Sequence, residues 1–520
     1  MYDLYSQIVR WFFFGGKLPG FSLEQKPFFD ENTGNTFVTL TYTERNKGLF
    51  QGRKMLFSEK KRKWTGIFFM LCFLAAAGMS AWILKQYARE GERREESEKV
   101  DKKEKTGNAP QKEEIQIRVQ ICSSNYEEKL HQTAAFRCTA GFTVQGPDWK
   151  EEIASQDIWE TDLQEFLQLR EQYTGTEAYQ IKIVPNNGEG IELPGLVRAS
   201  GTPLYQGSFI LEGTEEGMLL INELPLEEYL GAVVSSEMPS YYPFEAQMAQ
   251  AVCARTYALN CIKNRKRGET GADLDDSVSF QVYNNYQETE SSRRAVEATK
   301  GEVMDAEEVW YYSTSCGTSG REDLADNDAF QNYLSQEPPE TAEYGSPWVR
   351  WETELPAGQI LNHVNQTYEA SWQALLGVQI QERKPDGQVQ TLLLQGDQGE
   401  VSVKGEYALR EILGVEGVSI VLRDGSVSDN MTLLPSAYFY LEEIPDEEET
   451  EEEKNSSITE LGGLKSVRLF GGGYGHGIGM SQCGAAQMAQ EGADYQEILL
   501  FYYQESGKIH EVGEESSSAG

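Results

Sequence analysis

The chain has 520 residues and a formal net charge of −37, from 83 acidic against 46 basic side chains. That length supports two or three domains, each with a core of its own. The charge excludes the basic footprint that a phosphate backbone rewards, so no nucleic-acid partner is expected. Much of the excess lies in runs such as Asp446–Glu453, which read as solvated loop. The seven cysteines follow neither a zinc spacing nor a Cys-x-x-Cys pattern and read as small buried thiols. A Cys122–Cys138 bridge is left open.

Residues 1–63 show no clear periodicity and receive no role, although their flank suggests a cytoplasmic leader. Trp64–Leu84 is an uncharged run of about bilayer length. Lys60, Lys61, Arg62 and Lys63 abut its start, which favours a cytoplasmic N-terminus. A single-pass anchor in the cell membrane is therefore expected at 64–84, with the C-terminal bulk outside. Residues 85–114 are rich in Glu, Lys and Arg and read as a polar stalk. Residues 506–520 read as a disordered tail.

From Ile115 the pattern alternates. Strands are expected over Ile115–Ile121, Phe136–Val144, Tyr179–Val184, Leu204–Leu211 and Met218–Ile221, with a helical interruption within Asp157–Tyr173. The fold class expected is α+β, a mixed, strand-rich ectodomain. Its centre is Val234–Leu259. Strand-like apolar residues lead to Glu237, set against Met238 and Pro239. Pro243 suits a first helical turn. Phe244, Met248, Val252, Leu259 and Ile262 then form one buried stripe. Glu237 reads either as a surface carboxylate at a helix mouth or as a desolvated general acid.

Further on, Ser291–Thr299 reads as a helix closed by Gly301, and Val309–Tyr312 as a short strand running into the small, polar loop 313–320. Val378–Leu394 reads as a hairpin about Pro385–Gly387, Ala408–Leu413 as a helix, and Tyr438–Leu441 as a strand before an acidic insertion at 442–454. Leu469–Tyr503 opens with a glycine density that no regular element accommodates. Ser481 is a suitable N-cap for Gln482–Glu491, with Gly492 as its stop. Asp494 and Glu497 form a capping-box pattern for a last helix through Tyr503. His476, held among glycines, reads as a turn residue or a site residue. A phosphate-binding loop is a rival reading, but no Gly-Lys-Ser/Thr follows.

Four ordered blocks carry a resemblance. They are Asn222–Gly231 running on to Glu237–Pro239, Glu245–Leu259, Tyr311–Gly317, and Gly473–Gln482 with Gly484, Ala485, Tyr502 and Tyr503. Over roughly residues 115–505, with core motifs at 222–320 and 469–503, the chain resembles the stage II sporulation protein D / amidase-enhancer family. The resemblance implies a cell-wall protein outside the membrane. Its sporulation branch is similar to a lytic transglycosylase that cuts peptidoglycan glycan strands already stripped by an amidase. The cut lies between N-acetylmuramic acid and N-acetylglucosamine and leaves a 1,6-anhydro end. The other branch stimulates an autolytic amidase, which implies an amidase partner. The family's catalytic glutamate falls on Glu237. Arg255 is expected to orient Glu237 or to meet the lactyl carboxylate of stripped strands. Ser313, His476, Ser481 and Gln482 are expected at sugar hydroxyls, and Tyr257 stacked on a ring. No cofactor is implied. Some members bind zinc near the third block through His and Cys. Here Tyr312 stands at the His position and Cys316 precedes Gly317, so no metal is expected.

Overall fold

The computed structural model describes residues 21–30, 35–44, 54–58, 114–175, 178–264, 271–414, 417–429, 431–446 and 463–512. The chain divides into two units, residues 1–112 and 113–520. The expected anchor at 64–84 and the stalk up to residue 113 lie outside the described residues, as does the acidic insertion from residue 447. Among the described residues no helix is long and apolar enough to cross a membrane.

The first unit holds an antiparallel three-stranded meander: Phe21–Asp30, Asn35–Glu44 and Lys54–Ser58. The sequence reading found no period here. The usable signal was the alternation of Val38, Leu40 and Tyr42 with Thr39, Thr41 and Thr43, all residues that suit a pleated surface.

The second unit starts with a seven-stranded sheet. Its order is Leu274–Asp275, Gln116–Ile121, Met218–Pro225, Ser208–Gly213, Ile181–Pro185, Phe142–Gln145 and Lys150–Ile153. All pairings are antiparallel except the first, which is parallel. A four-stranded sheet of Leu204–Tyr205, Ile191–Glu192, Thr133–Cys138 and Ile158–Asp162 shares its core. Helix α1 (Leu163–Gln172) starts later than Asp157, because Ile158–Asp162 pairs as a strand with Thr133–Arg137 and Asp162 caps the helix at the Glu165 N–H.

Helix α2 (Leu226–Glu237) corrects the strand-like reading of the residues from Val234 that lead to Glu237. Leu226, Tyr229, Leu230, Val233 and Val234 recur at helical steps and are all buried. Burying that stripe outweighs the small helix penalty of β-branching. Helix α3 (Phe244–Asn264) is walled in by protein; Ala246, Ala249, Ala251, Ala254 and Ala258 admit neighbouring backbone. The Pro243 carbonyl accepts from the N–H groups of Ala246 and Gln247, opening the helix. Helix α4 (Glu290–Ala298) follows, capped by Thr289.

A second core lies over residues 351–469. It joins a five-stranded sheet (Val427–Ser428, Ile420–Leu422, Trp351–Pro356, Leu464–Gly471, Phe439–Pro445) and a meander (Leu375–Arg383, Val389–Gly396, Gly399–Lys404). Helices α5 (Asn327–Leu334), α6 (Ala357–Thr367) and α7 (Glu406–Ile412) flank these sheets. Glu442 and Glu443, expected in the insertion, belong to the Phe439–Pro445 strand.

The chain then returns. Helices α8 (Gln482–Glu491) and α9 (Tyr495–Tyr503) pack on α3, burying Ala485, Ala486, Ile498 and Leu499 against Ala246, Ala249, Val252 and Cys253. Ile509–Glu511, expected in the tail, pairs antiparallel with Glu302–Met304, and residues 513–520 lie outside the described residues. The six described cysteines are free thiols, which closes the question of a Cys122–Cys138 bridge.

Candidate functional site

Glu237 is the last residue of α2, and its side chain is largely enclosed. The Val282 N–H donates to its Oε1 at 2.7 Å, and the nearby Tyr311 hydroxyl favours the ionised form of the same carboxyl. Burial pushes the group up to about 7, against the pull of these two donors. Gln482, at the start of α8, donates to the Glu237 carbonyl at 3.0 Å and fixes the end of α2. Glu237, Gln482 and the 311–317 loop, read from three separate motifs, are thus brought together.

The segment carrying Val282 is anchored by a fully buried ion pair, Arg198 Nη2 to Asp276 Oδ2 at 2.6 Å. Asp276 Oδ1 accepts from the Cys122 N–H at 2.8 Å, and Arg198 also donates to the Cys122 and Ser123 carbonyls at 3.0 Å each. From the other side the Ser236 hydroxyl accepts from the Asn285 N–H at 3.0 Å.

Tyr311–Tyr312 pairs in parallel with Met480–Ser481, and Thr314 bridges to Tyr474, so the third and fourth motifs lie side by side. His476 Nε2 faces the Tyr311 carbonyl at 3.1 Å, while the Ile478 N–H donates to Nδ1 at 3.1 Å. A carbonyl and an N–H fix the tautomer: Nε2 carries the hydrogen. Burial pushes the ring's pKa below the ordinary histidine value. Gly479 shows why the glycines are needed: at φ +75°, an added Cβ would lie 1.9 Å from the Trp310 carbonyl oxygen. Gly479→Ala is expected to displace the pairing of Tyr311–Tyr312 with Met480–Ser481. Faster amide hydrogen exchange confined to 310–314 and 474–484 would register it.

Two expected ligand contacts are corrected. Arg255 is fully buried and spent: it forms a fork with Glu227 at 2.9 and 2.8 Å and donates to the Val296 and Glu302 carbonyls. It neither reaches Glu237 nor offers surface to a lactyl group. It ties α3 to α2 and α4. Ser481 is buried too; its hydroxyl caps α8 at the Gly484 N–H and donates to Glu343 at 2.8 Å. Ser481→Ala is expected to cost about 1–2 kcal/mol of stability, read from a denaturant midpoint. Ser313 is half-buried, with its carbonyl accepting from the Cys483 N–H at 2.9 Å. Tyr257 is half-buried, edge-on to the more exposed Trp310 at 6.1 Å.

Sequence reasoning missed Tyr311, Gln281, Val282 and Glu343. Glu343 is a buried carboxylate accepting from the Thr314 hydroxyl (3.1 Å), the Ser315 hydroxyl and the Gly317 N–H (3.1 Å) as well as from Ser481. It organises the 313–317 loop from a position with no local pattern to announce it.

The residues present do not fit the zinc of some relatives. Tyr312 replaces the histidine, both nitrogens of His476 are engaged, and burial pushes the Cys316 thiol up to about 12, far from the thiolate a zinc site needs. Among the described residues no three His, Cys, Asp or Glu side chains gather as a metal site.

Residues 214–305, which hold Glu237, Arg255, Gln281 and Val282, match the family described as stage II sporulation protein, SpoIID; residues 297–479 match a domain of unknown function. The chain is 27% identical to the stage II sporulation protein D of Bacillus subtilis over 311 residues, 55% of this chain and 74% of that one. It is 27% identical to the amidase enhancer of Bacillus subtilis over 302 residues, 53% of this chain but only 39% of that protein. An uncharacterized protein of Brachyspira hyodysenteriae is 27% identical over 337 residues, 62% of this chain and 76% of its own. With its α+β fold, the chain is a cell-wall-related protein. Residues 214–305 form a domain of the stage II sporulation protein family, and the chain is similar to the relatives named stage II sporulation protein D and amidase enhancer.

Proposed function

We propose that this protein is a membrane-anchored lytic transglycosylase. It cleaves bonds between N-acetylmuramic acid and N-acetylglucosamine in glycan strands that an amidase has stripped of stem peptides. The observation that carries the reading is the Glu237 carboxyl, burial-shifted to about 7 against two neutral donors, with no second carboxylate among its bonded partners. Glycoside hydrolysis by the common route uses two carboxylates. A single one serves twice here. Protonated Glu237 gives its proton to the glycosidic oxygen as the bond to C1 breaks. The resulting carboxylate takes the proton of the muramyl C6 hydroxyl, whose oxygen closes on C1. The product is a 1,6-anhydro end, and no water is consumed. Ser313 and Trp310 are the exposed or half-exposed neighbours assigned to the sugar.

The active form is the acid, so cleavage should fall about tenfold per pH unit above about 7. A rate held constant to pH 9 would remove Glu237 from that role.

A second reading is favoured by the relative named amidase enhancer: a protein that holds an amidase on the wall without cutting glycan. The full-length protein, incubated with stripped strands and with intact peptidoglycan, separates the two. Anhydro-muramyl products from stripped strands only, read by mass spectrometry, support the transglycosylase. Reducing ends indicate hydrolysis. No glycan products, with faster release of stem peptides by an added amidase, indicate the enhancer.

A further inference from the structure

A chain of hydrogen bonds runs to Glu237 from inside α2. The Tyr229 hydroxyl donates to Gln281 Oε1 at 3.1 Å, and Gln281 Nε2 donates to the Tyr311 hydroxyl oxygen at 3.1 Å. A fourth group sets its direction. Gln281 Nε2 also faces the Ala254 carbonyl at 3.4 Å. A carbonyl only accepts, so the amide nitrogen must occupy that side. Tyr229 is then bound to donate to Oε1, and Tyr311 to accept from Nε2. A tyrosine hydroxyl has one hydrogen. That hydrogen is left for the Glu237 carboxyl, because Gln281, which holds the Tyr311 hydroxyl, is followed in the chain by Val282, whose N–H holds Glu237 Oε1.

We infer that Tyr311 is a positioning residue for Glu237, locked by the Tyr229–Gln281 relay as a donor to its carboxyl. The inference rests on the reading of Glu237 as acid and then base. Tyr311 and the Val282 N–H occupy two of the carboxyl's lone-pair sites, leaving the acidic hydrogen to the sites that face neither donor. After the proton has gone, the same two donors stabilise the carboxylate that must take the next one. Burial alone would make a good acid and a poorly stabilised conjugate base.

The titratable groups facing Glu237 are Tyr311, Tyr229 and Tyr257, whose hydroxyls burial holds above the ordinary tyrosine range. Tyr311 thus keeps its hydrogen throughout the range in which Glu237 titrates. His476 is bonded to the Tyr311 carbonyl, and burial pushes its pKa down. From α3 and α8 the polar groups at this end of α2 are the uncharged amides of Gln250 and Gln482.

The test reads Glu237 directly. Carbodiimide with an amine labels protonated carboxyls. Applied to the full-length protein between pH 4 and 9, with peptide mass spectrometry and Glu237→Gln to assign the site, it gives the midpoint of Glu237. Tyr311→Phe keeps the ring and removes the donor. Its midpoint should rise by about one pH unit, a tenfold gain in proton affinity, with kcat falling more than KM rises. Gln281→Leu, which releases the Tyr311 hydrogen to other acceptors, should move the midpoint the same way. It decides the matter if Tyr311→Phe does not fold. A midpoint within 0.2 unit of wild type in the folded variant overturns the inference. Failure of the functional reading looks different: the wild type then yields no anhydro products at any pH, while the labelling midpoints still report on Tyr311.

Discussion

Glu237→Gln is expected to abolish 1,6-anhydro product formation, by about a thousandfold or more, in a protein that still folds. The amide keeps an oxygen to accept the Val282 N–H and loses the proton that starts the reaction. The same change should stabilise the fold, and only at one end of the pH scale. Folding raises the Glu237 pKa from the ordinary carboxylate range to about 7, so the native state binds the proton more tightly than the unfolded chain. Native stability therefore falls as pH rises from that ordinary range through 7, and above 7 the penalty is complete. The glutamine variant does not bear it. Urea midpoints should match near pH 4 and favour the variant at pH 8, by on the order of 1–3 kcal/mol. Equal midpoints at both pH values would mean that the carboxyl is not desolvated. Unchanged product would end its assignment as the acid.

The second large effect is expected at Arg198. Arg198→Met leaves Asp276 fully buried without its cation, and strands the Cys122 and Ser123 carbonyls. Breaking a buried pair from one side costs about 3–5 kcal/mol, although the intact pair itself contributes little. Burial already pushes the Asp276 carboxyl up, and Arg198 opposes that push. Without Arg198 the carboxyl rises further. The variant's deficit should therefore shrink as acid protonates Asp276, and be largest at neutral pH. Denaturant midpoints at pH 4.5 and 7.5 would show the narrowing; a deficit independent of pH would assign the loss to packing. Because Asp276 begins the segment that delivers the Val282 N–H, any folded Arg198→Met protein should also be impaired at Glu237.

What could be read from the sequence followed the locality of the forces. Caps and stops were legible because their chemistry is complete within a few residues: Ser481, Gly492 and the Asp494–Glu497 pair behave as their spacing implied. The hairpin about Pro385–Gly387 was legible for the same reason, whereas the single buried stripe expected on α3 was not found: Ala246–Thr256 is buried on every side, and Phe244 and Ile262 are half-buried. Val234 misled because it was read apart from Leu226 and Leu230, which precede it at helical steps. Glu237 was found through its motif. Its environment was not, since Val282 and Tyr311 lie 45 and 74 residues away in the chain. Arg255 shows the converse: a cation on a core helix looked like a ligand contact, but its partner Glu227, 28 residues earlier, is invisible to spacing. Glu343 had no signal at all, because its partners come from two distant loops.

The return of α8 and α9 onto α3 has a bearing on how such a protein is made. Gln482, which holds the end of α2, is synthesised 245 residues after Glu237, and the core under α3 stays open until Ile498 and Leu499 arrive. A ribosome that stalls before residue 482 releases a polypeptide whose glutamate is present but unbraced. A copy that lacks residues 482–499 therefore lacks the braced carboxyl, and these residues act as a late check on its assembly.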